Sequence, residues 1–206
     1  MKQAILTKHL NKTELGKGNT KEGYFYINRR LWQVIETLMP GVEQEVSFIS
    51  LDGYPNLKTR LTIGAEHRLP GLKSTFESLH LNTEDEIKLI FEFSDAGARS
   101  YYYSIEKNDN AICLKWDNRE KGFEILSEGR EHMLIDSKYN GQSVSLKYKG
   151  SSSKRSDSPD NTSYYDLEIG GGVFDGEKCP NMIIDVSNKV VNIRPFENWR
   201  YSVVEL

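Results

Sequence analysis

The sequence predicts a mainly β fold, a β-rich barrel. Three observations carry that expectation. Short runs of alternating apolar and polar residues recur along the whole chain, as in DEIKLIFEF, where Ile87, Leu89 and Phe91 share one face. Turn dipeptides separate the runs, among them Asp52-Gly53 and Pro55-Asn56. One stretch alone has a clear helical period, with Leu31, Val34, Ile35 and Leu38 at i, i+3, i+4 and i+7. Many short strands and one clear helix fit an all-β or β-rich barrel.

Taken in order, Ala4–Thr7 reads as a first strand and Gly23–Ile27 as a second. Asn28 is an N-cap by residue type, and Pro40-Gly41 ends the helix that follows. Val46–Leu51 and Leu57–Ile63 alternate as a strand and its return. Gly64–Lys73 (GAEHRLPGLK) reads as an irregular basic loop, and Ser74–Leu81 as a helical turn with Phe76 and Leu79 inward. Asp85–Phe93 is the strongest strand. Further strands are expected at Ser100–Ile105, Ala111–Trp116, Phe123–Leu126, Met133–Asp136, Ser143–Lys147, Tyr164–Ile169, Met182–Val186, Val190–Ile193 and Tyr201–Val204. Ser187-Asn188-Lys189 suits a hairpin turn, and Gly170-Gly171-Gly172 a bend or bulge in a strand. Serine and charge dominate Lys149 to Ser163, so a mobile loop is expected at 149–163. Residues 1–107 then form one core, and 108–206 a β-rich extension of the same or an adjoining domain.

The 206 residues, 37% of them hydrophobic, suffice for one large domain or two small ones. No apolar run reaches the roughly eighteen residues of a membrane-spanning helix. The N-terminal MKQAILTKHL lacks the apolar stretch of a signal peptide, so a cytoplasmic protein is expected. In a reducing compartment Cys113 and Cys179 stay as free thiols. The formal net charge of −3 speaks against a general nucleic-acid binder, but its distribution is uneven. Residues 1–80 hold 11 Lys and Arg against 8 Asp and Glu, whereas 81–206 hold 16 against 22. A local positive face on an acidic protein still attracts anions.

That face has two sources, the first being Lys2 to Arg30. Within it Lys8 to Ile27, KHLNKTELGKGNTKEGYFYI, carries Lys8, Lys12, Lys17 and Lys21, with Arg29 and Arg30 just beyond and Glu14 and Glu22 opposing. Gly16, Gly18 and Gly23 interrupt it. Lysine attracts phosphate and glycine lets a backbone approach a ligand closely, although a run of charge is more often a solvated loop. Lys58, Arg60, Arg68 and Lys73 form the second source. Catalytic patterns fail on spacing. GKGNT lacks the first glycine of a phosphate loop. His9, His67, His80 and His132 form no i, i+4 pair, and no CxxC occurs, so no zinc site is expected. Pro159-Asp160 with Asp166-Leu167-Glu168 has the order of nuclease carboxylates, but Glu168 stands where such a site needs lysine beside its magnesium.

With this order laid out, residues 4–107 resemble the effector, DNA-binding domain of EcoRII-type restriction endonucleases, whose fold is the DNA-binding pseudobarrel shared with the plant B-three transcription factors. The resemblance runs through a short strand into Lys8-His9-Leu10, the glycine-containing NKTELGKGNTKEG, the strand GYFYI, the helix RRLWQVIETLMP, two strands around Asp52–Asn56, the basic GAEHRLPGLK and the closing FESLHLNTEDEIKLIFEF. It covers about half the chain. It implies a seven-stranded open barrel with one or two short helices, elaborated here by a β-rich C-terminal half. It also implies two loop arms entering the major groove, Asn11–Gly23 and Gly64–Lys73. The implied DNA-binding residues are Lys8, Lys12, Glu14, Lys17, Asn19, Lys21, Arg60, Glu66, His67, Arg68 and Lys73. Lys12, Lys17 and Lys21 would neutralise phosphates, Arg68 and Lys73 donate to guanine, Glu66 or Glu14 accept from cytosine N4, and Asn19 pair with adenine.

The function so implied is sequence-specific binding of double-stranded DNA, with CC(A/T)GG the first expectation for the site. The chain would be a monomeric, non-catalytic domain of a bacterial, cytoplasmic type IIE-like enzyme. A covalently linked catalytic domain would use magnesium, while binding itself would need no cofactor. Two other classes compete. One is a carbohydrate- or peptide-binding β-sandwich with Tyr101-Tyr102-Tyr103, Tyr164-Tyr165, Trp116 and Trp199 as platforms, although core packing is the commoner use of such residues. The other is a compact magnesium nuclease built on Asp160, Asp166 and Glu168.

Overall fold

The computed structural model describes residues 2–18, 20–38, 44–61, 67–127, 129–153, 161–195 and 199–205. It divides into two compact units, Met1–Lys107 with Asn198–Leu206, and Asn108–Glu197.

The first unit contains β1 (Lys2–His9), β2 (Phe25–Tyr26), α1 (Arg29–Leu38), β3 (Gln44–Ser50), β4 (Leu57–Leu61), β5 (Arg68–Leu69), α2 (Lys73–Ser78), β6 (Glu86–Phe93) and β7 (Arg99–Glu106). The second contains β8 (Ala111–Asp117), β9 (Gly122–Ile125), a 3-10 turn (Glu131–Leu134), β10 (Lys138–Tyr139), β11 (Gln142–Ser153), β12 (Asn161–Ile169), β13 (Gly172–Val173), β14 (Asn181–Ser187) and β15 (Val190–Pro195). The last strand, β16 (Trp199–Glu205), belongs to the first unit. Among the described residues no helix is long and apolar enough to cross a membrane.

In the first unit six strands form one sheet in the order β16-β1-β6-β7-β3-β4, and β2 and β5 make a separate two-stranded ribbon. Alternation decides what each strand buries. On β1, Ala4 and Leu6 face the core, as do Ile87, Leu89 and Phe91 on β6. On β4, Leu57, Thr59 and Leu61 are inward and Lys58 and Arg60 outward. Phe48, Phe91 and Tyr101 pack edge to face or tilted, with centroids 5.3 to 6.0 Å apart. The amide of Leu31 donates to Asn28 Oδ1 at 3.0 Å, the N-cap that the sequence predicts for α1. Leu31, Trp32 and Ile35 are buried on that helix, a wider apolar face than the four-residue stripe. The side chain of Leu38 and residues Pro40-Gly41 lie outside the described residues.

The second unit holds a closed barrel of seven strands. Pairing runs from β11 through β10, β15, β14, β8, β9 and β12, and β12 pairs back to β11. Among the described residues β13 stands outside the ring, beside β12. Closure leaves no free edge within the ring. Ile112, Leu114, Phe123, Leu167, Met182 and Ile184 lead its core. Cys113, with Ala111, Ile183 and Leu126, packs in a smaller cluster; Cys113 and Cys179 are free thiols.

Four local expectations change. Met133–Asp136 is not a strand: the 3-10 turn Glu131–Leu134 occupies it, because a four-residue apolar run does not distinguish extended chain from a tight turn. Much of the loop expected at 149–163 is strand. β11 continues to Ser153 and β12 starts at Asn161, with Ser151 opposite Ser163 and Ser152 opposite Thr162. Ladder hydrogen bonds satisfy this polar backbone where apolar side chains do not drive burial; residues 154–160 lie outside the described residues. Gly170 and Gly171, with φ of 59° and 82°, form the tight turn from β12 into β13 rather than a bulge within a strand. Finally, the segment assigned with 108–206 ends in β16, which pairs along seven residues of β1, since alternation fixes a strand's faces but not its partner.

Candidate functional site

The first basic segment is a tied-down turn rather than a free loop. Asn11 and Glu14 cap each other: the Glu14 amide donates to Asn11 Oδ1 at 2.9 Å, and the Asn11 amide to Glu14 Oε2 at 3.2 Å. The backbone closes with Leu15 N to Asn11 O at 3.0 Å and Lys17 N to Lys12 O at 2.9 Å. Glu14 is 1% exposed. Its Oε1 also accepts from the Tyr26 amide at 2.9 Å and from Lys8 Nζ, so one carboxylate joins β1, the turn and β2. Lys8 is 3% exposed, donates to Tyr26 O at 2.9 Å and lies over the rings of Phe25 and Tyr26. Burial lowers its pKa from the ordinary lysine value, and the Glu14 charge and hydrogen bond oppose that.

This geometry corrects two sequence expectations. Lys8 offers no charge to a phosphate, and Glu14 no acceptor to a cytosine, because each is spent on the other inside the protein. The signal was present in the sequence. Lys8 falls in phase with Ala4 and Leu6 on the buried face of β1, and Asn11-x-x-Glu14 has capping-box spacing.

The turn then docks on the second basic segment. The Leu72 amide donates to Gly23 O at 2.8 Å. A Cβ at Gly23 would lie 2.4 Å from the backbone N and Cα of Lys73, so only glycine permits this approach. Lys17 Nζ reaches Asn82 Oδ1 at 3.0 Å and Leu81 O at 3.3 Å, holding the turn to the chain beyond α2. The expected loop Gly64–Lys73 is partly regular. Arg68 and Leu69 pair with Tyr26 and Phe25, and Lys73 opens α2. His67 stacks on Trp32 at 5.4 Å, and its carbonyl accepts from the Ile27 amide at 2.8 Å. Arg68 sits over the Tyr24 ring at 5.3 Å. Burial raises the Tyr24 pKa, the Glu14 charge adds to the rise, and Arg68 opposes it.

The two segments border one groove of about 1100 Å³. Lys21, Glu22 and Gly23 line it from the first segment. Pro70, Gly71, Lys73, Ser74 and Glu77 line it from the second and from α2. Glu45, Val46, Ser47, Lys58, Thr59 and Arg60 line it from β3 and β4. Of the residues expected to bind DNA, Lys21, Arg60 and Lys73 therefore converge here. Lys12, Lys17, His67 and Arg68 are not among the lining residues, and Asn19 and Glu66 lie outside the described residues. Lys73 Nζ stands 3.9 Å from Glu77 Oε1. Glu22, Glu45 and Glu77 mix acceptors among the cations. Those carboxylates and Lys58 are not among the DNA-binding residues that the resemblance implies, although Lys58 belongs to the second basic source and its outward phase with Arg60, between Leu57, Thr59 and Leu61, is readable in the sequence.

Elsewhere, Asp166 and Glu168 share the outer face of β12 with ion-pair partners on β11, Lys149 at 3.4 Å and Lys147 at 3.6 Å; Asp160 lies outside the described residues. Among the described residues no group of three or more His, Cys, Asp or Glu is arranged to hold a metal. Tyr103 and Tyr164 are buried, Tyr101 packs on the first core, and Trp116 and Tyr165 pack on the second. Tyr148 is exposed against Tyr165, and the side chain of Trp199 lies outside the described residues. No protein-family model, curated protein or solved structure matches the chain.

Proposed function

We propose that the first unit binds double-stranded DNA sequence-specifically, as the recognition domain of a type IIE-like restriction endonuclease whose cleavage is carried by a covalently linked domain. The observation that supports this is the convergence of Lys21, Lys73, Lys58 and Arg60, from segments far apart in sequence, on one groove. Clustered cations are what a phosphate backbone requires. The interspersed carboxylates weaken indiscriminate anion binding and suit cytosine N4, as Arg60 suits guanine O6 and N7. A site rich in G·C pairs, CC(A/T)GG first, matches that chemistry. DNA binding at this groove calls on no metal.

The test is an anisotropy titration of the chain with CC(A/T)GG and scrambled duplexes over a salt series. Neutralising about five phosphates gives a log–log slope of roughly −4 to −5, and the CC(A/T)GG duplex should bind more tightly. Lys21→Ala and Lys73→Ala should weaken both duplexes and reduce the slope by about one each. Absence of binding at micromolar protein, or an affinity indifferent to salt, would remove the proposal.

A further inference from the structure

We infer that the β3–β4 hairpin is a third DNA-contacting element beside the two basic segments, with Lys58 as its phosphate contact. This rests on the reading of the groove as a duplex-DNA site.

β4 is the edge strand of its sheet, so one of its sides has no neighbouring strand in that sheet. Its inward residues Leu57, Thr59 and Leu61 fix the strand against the core, and Thr59 Oγ1 donates to Pro70 O at 2.7 Å, tying β4 to the second basic segment. Lys58 and Arg60 consequently point outward from a rigid element. The register sets Ser47 opposite Lys58 and Glu45 opposite Arg60, and all four line the groove. Among the described residues neither Lys58 nor Lys21, which also lines the groove, has an ion-pair partner. Opposite Lys58 the small hydroxyl of Ser47 leaves room for a phosphate and offers it a donor. The hairpin adds Lys58 and Arg60 to the charge that Lys21 and Lys73 bring to the same groove.

Lys58→Ala tests this in the full chain, with melting temperature as the check on folding, since the side chain is exposed and out of the core. Loss of one phosphate contact reduces the salt slope by about 0.9 and weakens binding by about eightfold near 0.1 M salt. The loss should be equal for CC(A/T)GG and scrambled duplexes, and Lys58→Arg should restore it. Lys2→Ala, the same charge change at a residue that does not line the groove, should leave the slope unchanged. If wild type binds with a steep slope but Lys58→Ala matches it, the hairpin inference is overturned and the DNA reading stands. A drop equal to that of Lys2→Ala also overturns it, as an effect of net charge. If wild type does not bind at all, the DNA reading itself has failed.

Discussion

Glu14 illustrates how one buried residue can organise a surface segment that it does not reach. Its carboxylate holds Lys8, the Asn11 amide and the Tyr26 amide. A buried charge left alone is costly, whereas an apolar pair of similar volume is often tolerated. Glu14→Gln should therefore destabilise the chain by about 3–5 kcal/mol, read by denaturant unfolding, because Lys8 must then hold an unpaired buried charge or give up its proton. Lys8→Met with Glu14→Leu should recover much of that loss. Equal stability of Glu14→Gln and wild type would mean that solvent reaches Lys8. Lys17, expected at phosphates, is exposed and also ties the turn to Asn82 and Leu81.

Elements built on strong alternation or turn chemistry were legible in the sequence; those defined by partners were not. The β14–β15 turn belongs to the first kind. Asn188 and Lys189 take φ of 50° and 62°, the two left-handed residues of a tight hairpin, where glycine is preferred at the second position. Lys189→Gly should raise stability by about 0.5–1 kcal/mol, seen as a higher melting temperature, although it gives up an exposed ion pair to Asp136 at 3.6 Å. A lowered melting temperature would contradict this account of the turn. The extension of β11 and β12 belongs to the second kind. Gly150 to Ser153 and Asn161 to Ser163 have no apolar face to announce a strand, and extend because each supplies the other's hydrogen bonds.

At the scale of the whole chain, the second unit is an insertion between β7 and β16. Its seven strands pair in a closed ring around their own apolar core, so its hydrogen bonding needs nothing from outside that ring. Residues 108–197 expressed alone should therefore give a β-type circular dichroism spectrum and a cooperative thermal transition. A gradual, non-cooperative melt would show that the barrel depends on the rest of the chain. The unit boundary falls after Lys107, where β7 has ended and the polar Lys107 to Asn110 follows.

The sequence by itself determined the mainly β class, most strands, the Asn28 cap and the two basic segments. These are local properties, written in side-chain period, capping type and charge within a few residues of one another. Tertiary structure alone decided that Gly23 must be glycine to meet Lys73. It also decided that Lys58 and Arg60 join Lys21 and Lys73 at one groove, that β16 returns to β1, and that the second unit closes on itself. Each of these depends on which distant backbone comes alongside, and neither period nor composition encodes a partner.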